Sequence, residues 1–175
     1  MRLSEHPLIE EAAIAARVGE LAHDIDADYA DANPLLVGVL KGALHFTSDL
    51  FRALHIHAEL EAVTARSYEG TKSTGGVQID GPDPGVFRGR RVILVEDILD
   101  TGRTAVQLIS YIQTGSPASI AVCTLLDKPV RRVVPVQADY TGFTIGDHFV
   151  VGYGLDYNQR YRGLRAIHTL DREPE

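Results

Sequence analysis

The chain has 175 residues, 45% apolar and 23% charged, which is the balance of one ordinary globular domain and excludes a disordered or fibrous chain. A net charge of −7 argues against the broad basic face that nucleic-acid binding needs. No apolar run approaches the roughly 20 residues of a membrane span, the opening residues lack an export-signal pattern, and the single cysteine, Cys123, cannot form an internal disulfide, so a cytoplasmic, membrane-free protein is expected.

In chain order, residues 9–30 read as an amphipathic helix. Ile14, Val18, Leu21 and Ile25 recur at helical spacing, while Glu10, Glu11, Arg17, Glu20, Asp24 and Asp28 take the other face. Leu35–Leu40 is an apolar run of strand length, 43–54 reads as a helix, and 58–67 alternates like a strand. Residues 67–85 hold five glycines and two prolines (Gly70, Gly75, Gly76, Gly81, Gly85, Pro82, Pro84). A stretch of that kind is either a lid or a plain hairpin returning through Val77-Gln78-Ile79. Arg88-Gly89-Arg90-Arg91 reads as a solvated turn. Val92-Ile93-Leu94-Val95 forms the centre of a strand over 91–96, buried on both faces. A helix over 104–113 follows, then a buried strand over 119–126 that encloses Cys123, then short strands at 139–143 and 149–151. His55 and His57 are expected on one face of a strand, with no third ligand at metal spacing. Alternating strands and helices predict one α/β domain over 1–175 with a mainly parallel sheet. Ligands of such sheets bind beyond the carboxyl ends of the strands.

The chemistry concentrates after Val95. Glu96 and Asp97 close the apolar run, and Asp100-Thr101-Gly102-Arg103-Thr104 leads into the next helix. Unpaired backbone N–H groups at such a turn form a natural phosphate cradle, with Gly102 permitting close approach and Thr101 and Thr104 adding hydroxyls. The Gly-Lys-Ser/Thr of a nucleoside triphosphatase loop is missing. Two acids beside an anion site make sense if ribose hydroxyls donate to them, or if a hard cation such as Mg2+ neutralises the charge. The plainer alternative is a helix cap at Asp100 or Thr101, with two solvated acids before it.

The run from Val95 to Thr104 resembles the phosphoribosyl-pyrophosphate motif of type I phosphoribosyltransferases. Three further segments are similar to the hypoxanthine-guanine members of that family. Leu40-Lys41-Gly42 resembles the pyrophosphate loop, and Ser67-Tyr68 resembles the start of the mobile catalytic loop. The run from Phe149 to Asn158, with Arg162 beyond it, resembles the purine-binding end. Lys128, in Leu126-Asp127-Lys128-Pro129, falls where the family has its base-reading lysine. Ala43 stands where many relatives carry glycine or serine, and Gly146 and His148 replace a common proline and a basic residue.

The resemblance implies a parallel sheet flanked by helices, a lid over about 67–85, and a hood formed largely by 128–157 with an N-terminal contribution. It implies transfer of a 5-phosphoribosyl group from phosphoribosyl pyrophosphate to N9 of hypoxanthine or guanine, giving a nucleoside monophosphate and pyrophosphate. The implied catalytic acid/base is Asp100. The ribose and its 5′-phosphate would meet Glu96, Asp97, Asp100, Thr101, Gly102, Arg103 and Thr104, and the pyrophosphate would meet Lys41, Gly42 and Arg162. Lys128, Phe149, Val150 and Asp156 would take the purine, Ser67 and Tyr68 would lead the lid, and Glu96, Asp97 and Asp156 would serve Mg2+. In the family the peptide before the loop lysine is often cis. A homodimer or homotetramer is implied. The alternatives are a sensor of phosphoribosyl pyrophosphate without catalysis, or a xanthine-preferring transferase. Asp100 and Lys128 speak against the sensor.

Overall fold

The three apolar runs at 35–40, 91–99 and 119–127 become the inner strands of a six-stranded sheet, covered by helices on both faces. The computed structural model describes residues 2–67 and 77–171. In chain order its elements are β1 (Arg2–Leu3), α1 (Glu11–Asp28), β2 (Leu35–Leu40), α2 (Leu44–Ala53), β3 (Glu59–Ser67), β4 (Val77–Asp80), β5 (Arg91–Leu99), α3 (Arg103–Gln113), β6 (Ser119–Asp127), β7 (Tyr140–Thr144), β8 (Val150–Val151) and β9 (His168–Asp171). The large sheet has the order β4-β3-β2-β5-β6-β7, parallel throughout except for β4 at its edge.

Alternate residues of each inner strand enter different layers, which is why these strands are apolar at nearly every position. Leu36, Ile93, Val95, Cys123 and Leu125 pack under α1 and α2, against Ile14, Leu21, Ile25, Phe46 and Leu50. Leu35, Val37, Val92 and Leu94 pack under α3, against Leu108, Ile112 and Phe87. A side chain at Gly38 would come within 2.8 Å of Thr47, so glycine lets α2 lie close on β2.

Chain direction out of the sheet reverses between β2 and β5, since β3 lies on one side and β6 on the other. That places a crevice between the carboxyl ends of β2 and β5.

Several boundaries differ from the sequence expectation. Strand β5 runs to Leu99 rather than stopping at residue 96, because its pairing with β6 continues through Ile98↔Leu126 and Leu99↔Asp127. Glu96 and Asp97 are thus inside a strand, not at its end. Val77–Asp80 pairs antiparallel with Thr64–Ser67 of β3, and Pro84–Phe87 forms a single 3-10 turn, so the described part of the expected lid stretch is a strand followed by a turn. Residues 68–76, Tyr68 among them, lie outside the described residues. The segment expected as hood is divided: Tyr140–Thr144 joins the large sheet beside β6, whereas Val150–Val151 joins a separate antiparallel sheet, β1-β9-β8, made from both ends of the described chain. His55 and His57 lie between α2 and β3, not in a strand, and the Asp26 carboxylate accepts the backbone N–H of His55 and Ile56. Among the described residues no helix is long and apolar enough to cross a membrane.

Ile93 is fully buried in the layer under α1 and α2. Ile93→Ala is expected to cost about 2–5 kcal/mol in a denaturant titration. Leu60→Ala, at an exposed position, is expected to cost about 1 kcal/mol or less.

Candidate active site

Three segments meet at the crevice. The first follows β2, where the Leu40–Lys41 peptide is cis. The second is the end of β5 with the turn into α3. The third is the loop after β8, in which Tyr153, Asn158, Gln159 and Tyr161 all adopt positive φ. They enclose a cleft of about 400 Å³ lined by Lys41, Gly42, Glu96, Asp97, Asp100, Thr101, Gly102, Thr104, Asp156 and Arg162. Ten of the expected site residues therefore share one cavity. Arg103, Lys128, Phe149 and Val150 are not in its lining. Ser67 ends β3, and Tyr68 lies outside the described residues.

Glycines make the closure possible. A Cβ on Gly42 would overlap the Asp97 carboxylate, and a Cβ on Gly154 (φ +104°) would overlap the carbonyl of Gly42. The loop after β2 is thus clamped between β5 and the loop after β8. Gly102 starts α3 from the left-handed region at φ +83°, where a Cβ would meet Val134 at 2.9 Å and the Arg132 stem at 3.0 Å. The first helical N–H, that of Arg103, lies 3.4 Å from Thr101 Oγ1.

The two acids of β5 differ. Glu96 is only 4% exposed, and its Oε1 has no hydrogen-bond partner among the described residues. Burial, and then the neighbouring Asp97, push its carboxyl up to about 8. Asp97 is half-buried and accepts the Ile98 N–H at 2.9 Å. Burial raises it to about 6, against the opposing pull of that N–H and of Arg162. Asp156 is already engaged: Arg162 Nη2 lies 2.7 Å from its Oδ1, and the Gln159 N–H donates to its Oδ2 at 2.8 Å. Arg162 Nη1 also donates to the Gly154 carbonyl at 2.7 Å. Among the described residues no three His, Cys, Asp or Glu side chains converge as a metal-holding group. Glu96, Asp97 and Asp156 nevertheless line the same cleft, with the Asp156 carboxylate paired to Arg162. The donor set around Glu96 and Asp97 is nonetheless all oxygen, with one buried oxygen unpartnered, which suits a hard cation.

A second charged cluster adjoins the cleft at Asp100. Arg131 Nε lies 3.3 Å from Asp100 Oδ1, and Arg131 Nη1 lies 3.6 Å from Asp147 Oδ1. Lys128 is 6% exposed and its Nζ donates to the His148 carbonyl. Burial pulls the Lys128 ammonium pKa down, while Asp100 and Asp147 push it back. Phe149 is 48% exposed and meets Tyr157 edge-on at 5.7 Å. Val150 is buried within β8. Arg131 was not singled out from the sequence; its only signal there is the basic pair Arg131-Arg132 directly after Lys128-Pro129.

Residues 8–158 match the family of the phosphoribosyl transferase domain. The hypoxanthine-guanine phosphoribosyltransferase of Streptococcus pneumoniae R6 is 43% identical over 172 residues, covering 98% of this chain and 93% of that protein. The bifunctional protein TilS/HprT of Listeria innocua is 42% identical over 167 residues, but this chain spans only 26% of its length. A crystal structure of a hypoxanthine-guanine phosphoribosyltransferase from Bacillus anthracis superposes with a TM-score of 0.90 at 36% identity, covering 97% of this chain and all of that one.

The raised acids give the stability a definite pH slope. An acid whose folded value lies above its unfolded one is held protonated by the fold. Its cost appears as pH rises past the unfolded value, about 4.5, and grows until the folded value, about 8 for Glu96. Without ligand, stability should fall between pH 5 and 8, and Glu96→Gln should flatten that fall. Denaturation midpoints at pH 5, 6.5 and 8 measure it, and an equal slope in both proteins would contradict the assignment.

Proposed function

The chain belongs to the phosphoribosyl transferase family, and we propose that it moves the 5-phosphoribosyl group of phosphoribosyl pyrophosphate to N9 of a 6-oxopurine, hypoxanthine or guanine, releasing pyrophosphate and a nucleoside monophosphate. One observation carries this reading. The turn at 100–104, the loop at Lys41-Gly42 and Arg162 open on a single cleft, and the Asp100–Lys128 cluster adjoins it.

Each part of the cleft has a separate task. The 5′-phosphate takes the backbone N–H groups of the turn and the hydroxyls of Thr101 and Thr104 at the positive end of α3. The ribose hydroxyls face Glu96 and Asp97. The leaving pyrophosphate is met by Lys41, the Gly42 N–H and Arg162, which Asp156 and the Gly154 carbonyl hold in place. Bond breaking leaves positive charge on the sugar, as in glycoside cleavage, so donors aimed at the departing pyrophosphate stabilise the transition state. Glu96 and Asp97 offer oxygen ligands to Mg2+, whose charge offsets that of the pyrophosphate.

At the base, Asp100 accepts the N7 proton as N9 bonds to the sugar. Lys128 donates to the exocyclic O6, exchanging the His148 carbonyl for the purine. An ammonium cannot accept from a 6-amino group, which weighs against adenine. Phe149 supplies a face for stacking, and Val150 reads the base through its backbone. The segment opening at Ser67 and Tyr68 would exclude water during transfer. We further propose a cytoplasmic homodimer or homotetramer, a location consistent with the buried, unpaired Cys123.

A panel of hypoxanthine, guanine, xanthine and adenine with labelled phosphoribosyl pyrophosphate and Mg2+ tests the reading, and no nucleotide from any 6-oxopurine would overturn it. Asp100→Asn should lower kcat by about 10²–10⁴ with little change in phosphoribosyl pyrophosphate affinity. Lys128→Ala should raise the purine KM about tenfold or more. Unchanged purine kinetics would remove Lys128 from its role.

A further inference from the structure

Three successive carbonyls leave the end of β5, and the segment after β6 takes all three. The Leu99 carbonyl accepts from Lys128 N at 3.0 Å and from Arg132 Nη1 at 2.7 Å. The Asp100 carbonyl accepts from the same Nη1. The Thr101 carbonyl accepts from Val133 N at 3.1 Å. Arg132 also donates from Nε to the Val136 carbonyl at 3.1 Å and pairs through Nη2 with Asp127. Its side chain is 15% exposed, and its stem packs under Gly102. Arg132 does not line the cleft; it lines a different cavity, with Asp127, Val134 and Val136.

In a planar trans peptide the N–H points opposite to the C=O. Carbonyls of Asp100 and Thr101 held on the underside therefore turn the N–H groups of Thr101 and Gly102 toward the cleft. A row of such N–H groups is an anion-binding nest. The Arg132 guanidinium is the donor to the Asp100 peptide carbonyl, and it reaches Leu99 and Asp127 at the same time.

We propose that Arg132 is the positioning residue of the phosphate-binding turn. Its fork holds the peptides after Leu99 so that their N–H groups stay aimed at a sugar phosphate it never touches. The inference rests on the turn being the phosphate site, as argued above. Charge alone does not do this work. A lysine can keep the pairing with Asp127, but one ammonium cannot span Leu99, Asp100, Asp127 and Val136 from a planar fork.

The test uses the full chain as wild type, Arg132→Lys, Arg132→Met and Asp127→Asn. Ribose 5-phosphate binding is measured by calorimetry, kcat and both KM values by nucleotide formation, and Tm by thermal melting. Arg132→Lys should lose about tenfold or more in ribose 5-phosphate affinity and gain as much in the KM for phosphoribosyl pyrophosphate. Its purine KM at saturating phosphoribosyl pyrophosphate should stay within about threefold, on the same ground that a lost contact acts where the contact is made. Arg132→Met should lose more than Arg132→Lys. Asp127→Asn keeps all the carbonyl contacts and should stay within about threefold for ribose 5-phosphate, which keeps the proposal testable should both Arg132 variants fail to fold. Wild-type affinity in Arg132→Lys would overturn the proposal. So would an equal loss in Asp127→Asn, or a joint rise of both KM values that tracks Tm. A wild-type protein that neither binds ribose 5-phosphate nor makes nucleotide would instead overturn the functional reading.

Discussion

The cleft depends on keeping two adjacent acids of one strand out of bulk water. Glu96 is buried because β5 continues its pairing past it to Leu99, and Asp97 is boxed by Gly42. A carboxylate pair at a strand end would be ionised and would repel an anionic substrate. Desolvation instead raises both acids, to about 8 and about 6. The ligand-free cleft can thus hold protons on these acids. The same contact forces glycine at 42, and glycine at 154 follows from the next layer of the clamp. One electrostatic arrangement thereby dictates sequence in three distant segments.

The sheet order explains why those segments meet. β2 and β5 are neighbours whose onward connections leave in opposite directions, which opens the crevice at their carboxyl ends. Leu35–Val39 of β2 and Val92–Glu96 of β5 are buried without a break, so their register is strongly set and the two loops arrive at a constant separation. The third segment comes from a different sheet. It is brought down through β8, and Tyr153 fixes it by donating to Asp49 of α2 at 2.6 Å.

Much of this was legible in the sequence, for identifiable reasons. The inner strands and the three helices show strong apolar patterning, and their expected boundaries differ from the observed ones by at most three residues, with β2 matching at both ends. Strand β5 was the largest of these shifts because its last residues, Glu96 to Leu99, break the apolar run; only pairing with β6 keeps them extended. β7 and β8 are short, and nothing local says that they belong to different sheets. That division depends on pairing with β6 in one case and with β9 in the other. The acids and glycines of the cleft stood out because they cluster in ordered motifs. Arg131 and Arg132 did not, because an arginine's role depends on which carbonyls and carboxylates fold around it, and those come from residues 99, 100, 127, 136 and 147.

The arrangement of charges also links the turn at 100–104 to Lys128. Asp100 lines the cleft, while its carboxylate pairs with Arg131, which in turn reaches Asp147, two residues before Phe149. Lys128 is tied to the same place twice, through its backbone to Leu99 and through its ammonium to the His148 carbonyl. The turn at 100–104 and Lys128 are therefore parts of one hydrogen-bonded unit. Asp100, Lys128, Arg131 and Asp147 each already have a partner in the ligand-free protein. On the proposed reading a purine would exchange contacts rather than create them, which would lower its net affinity and favour bases that restore every partner.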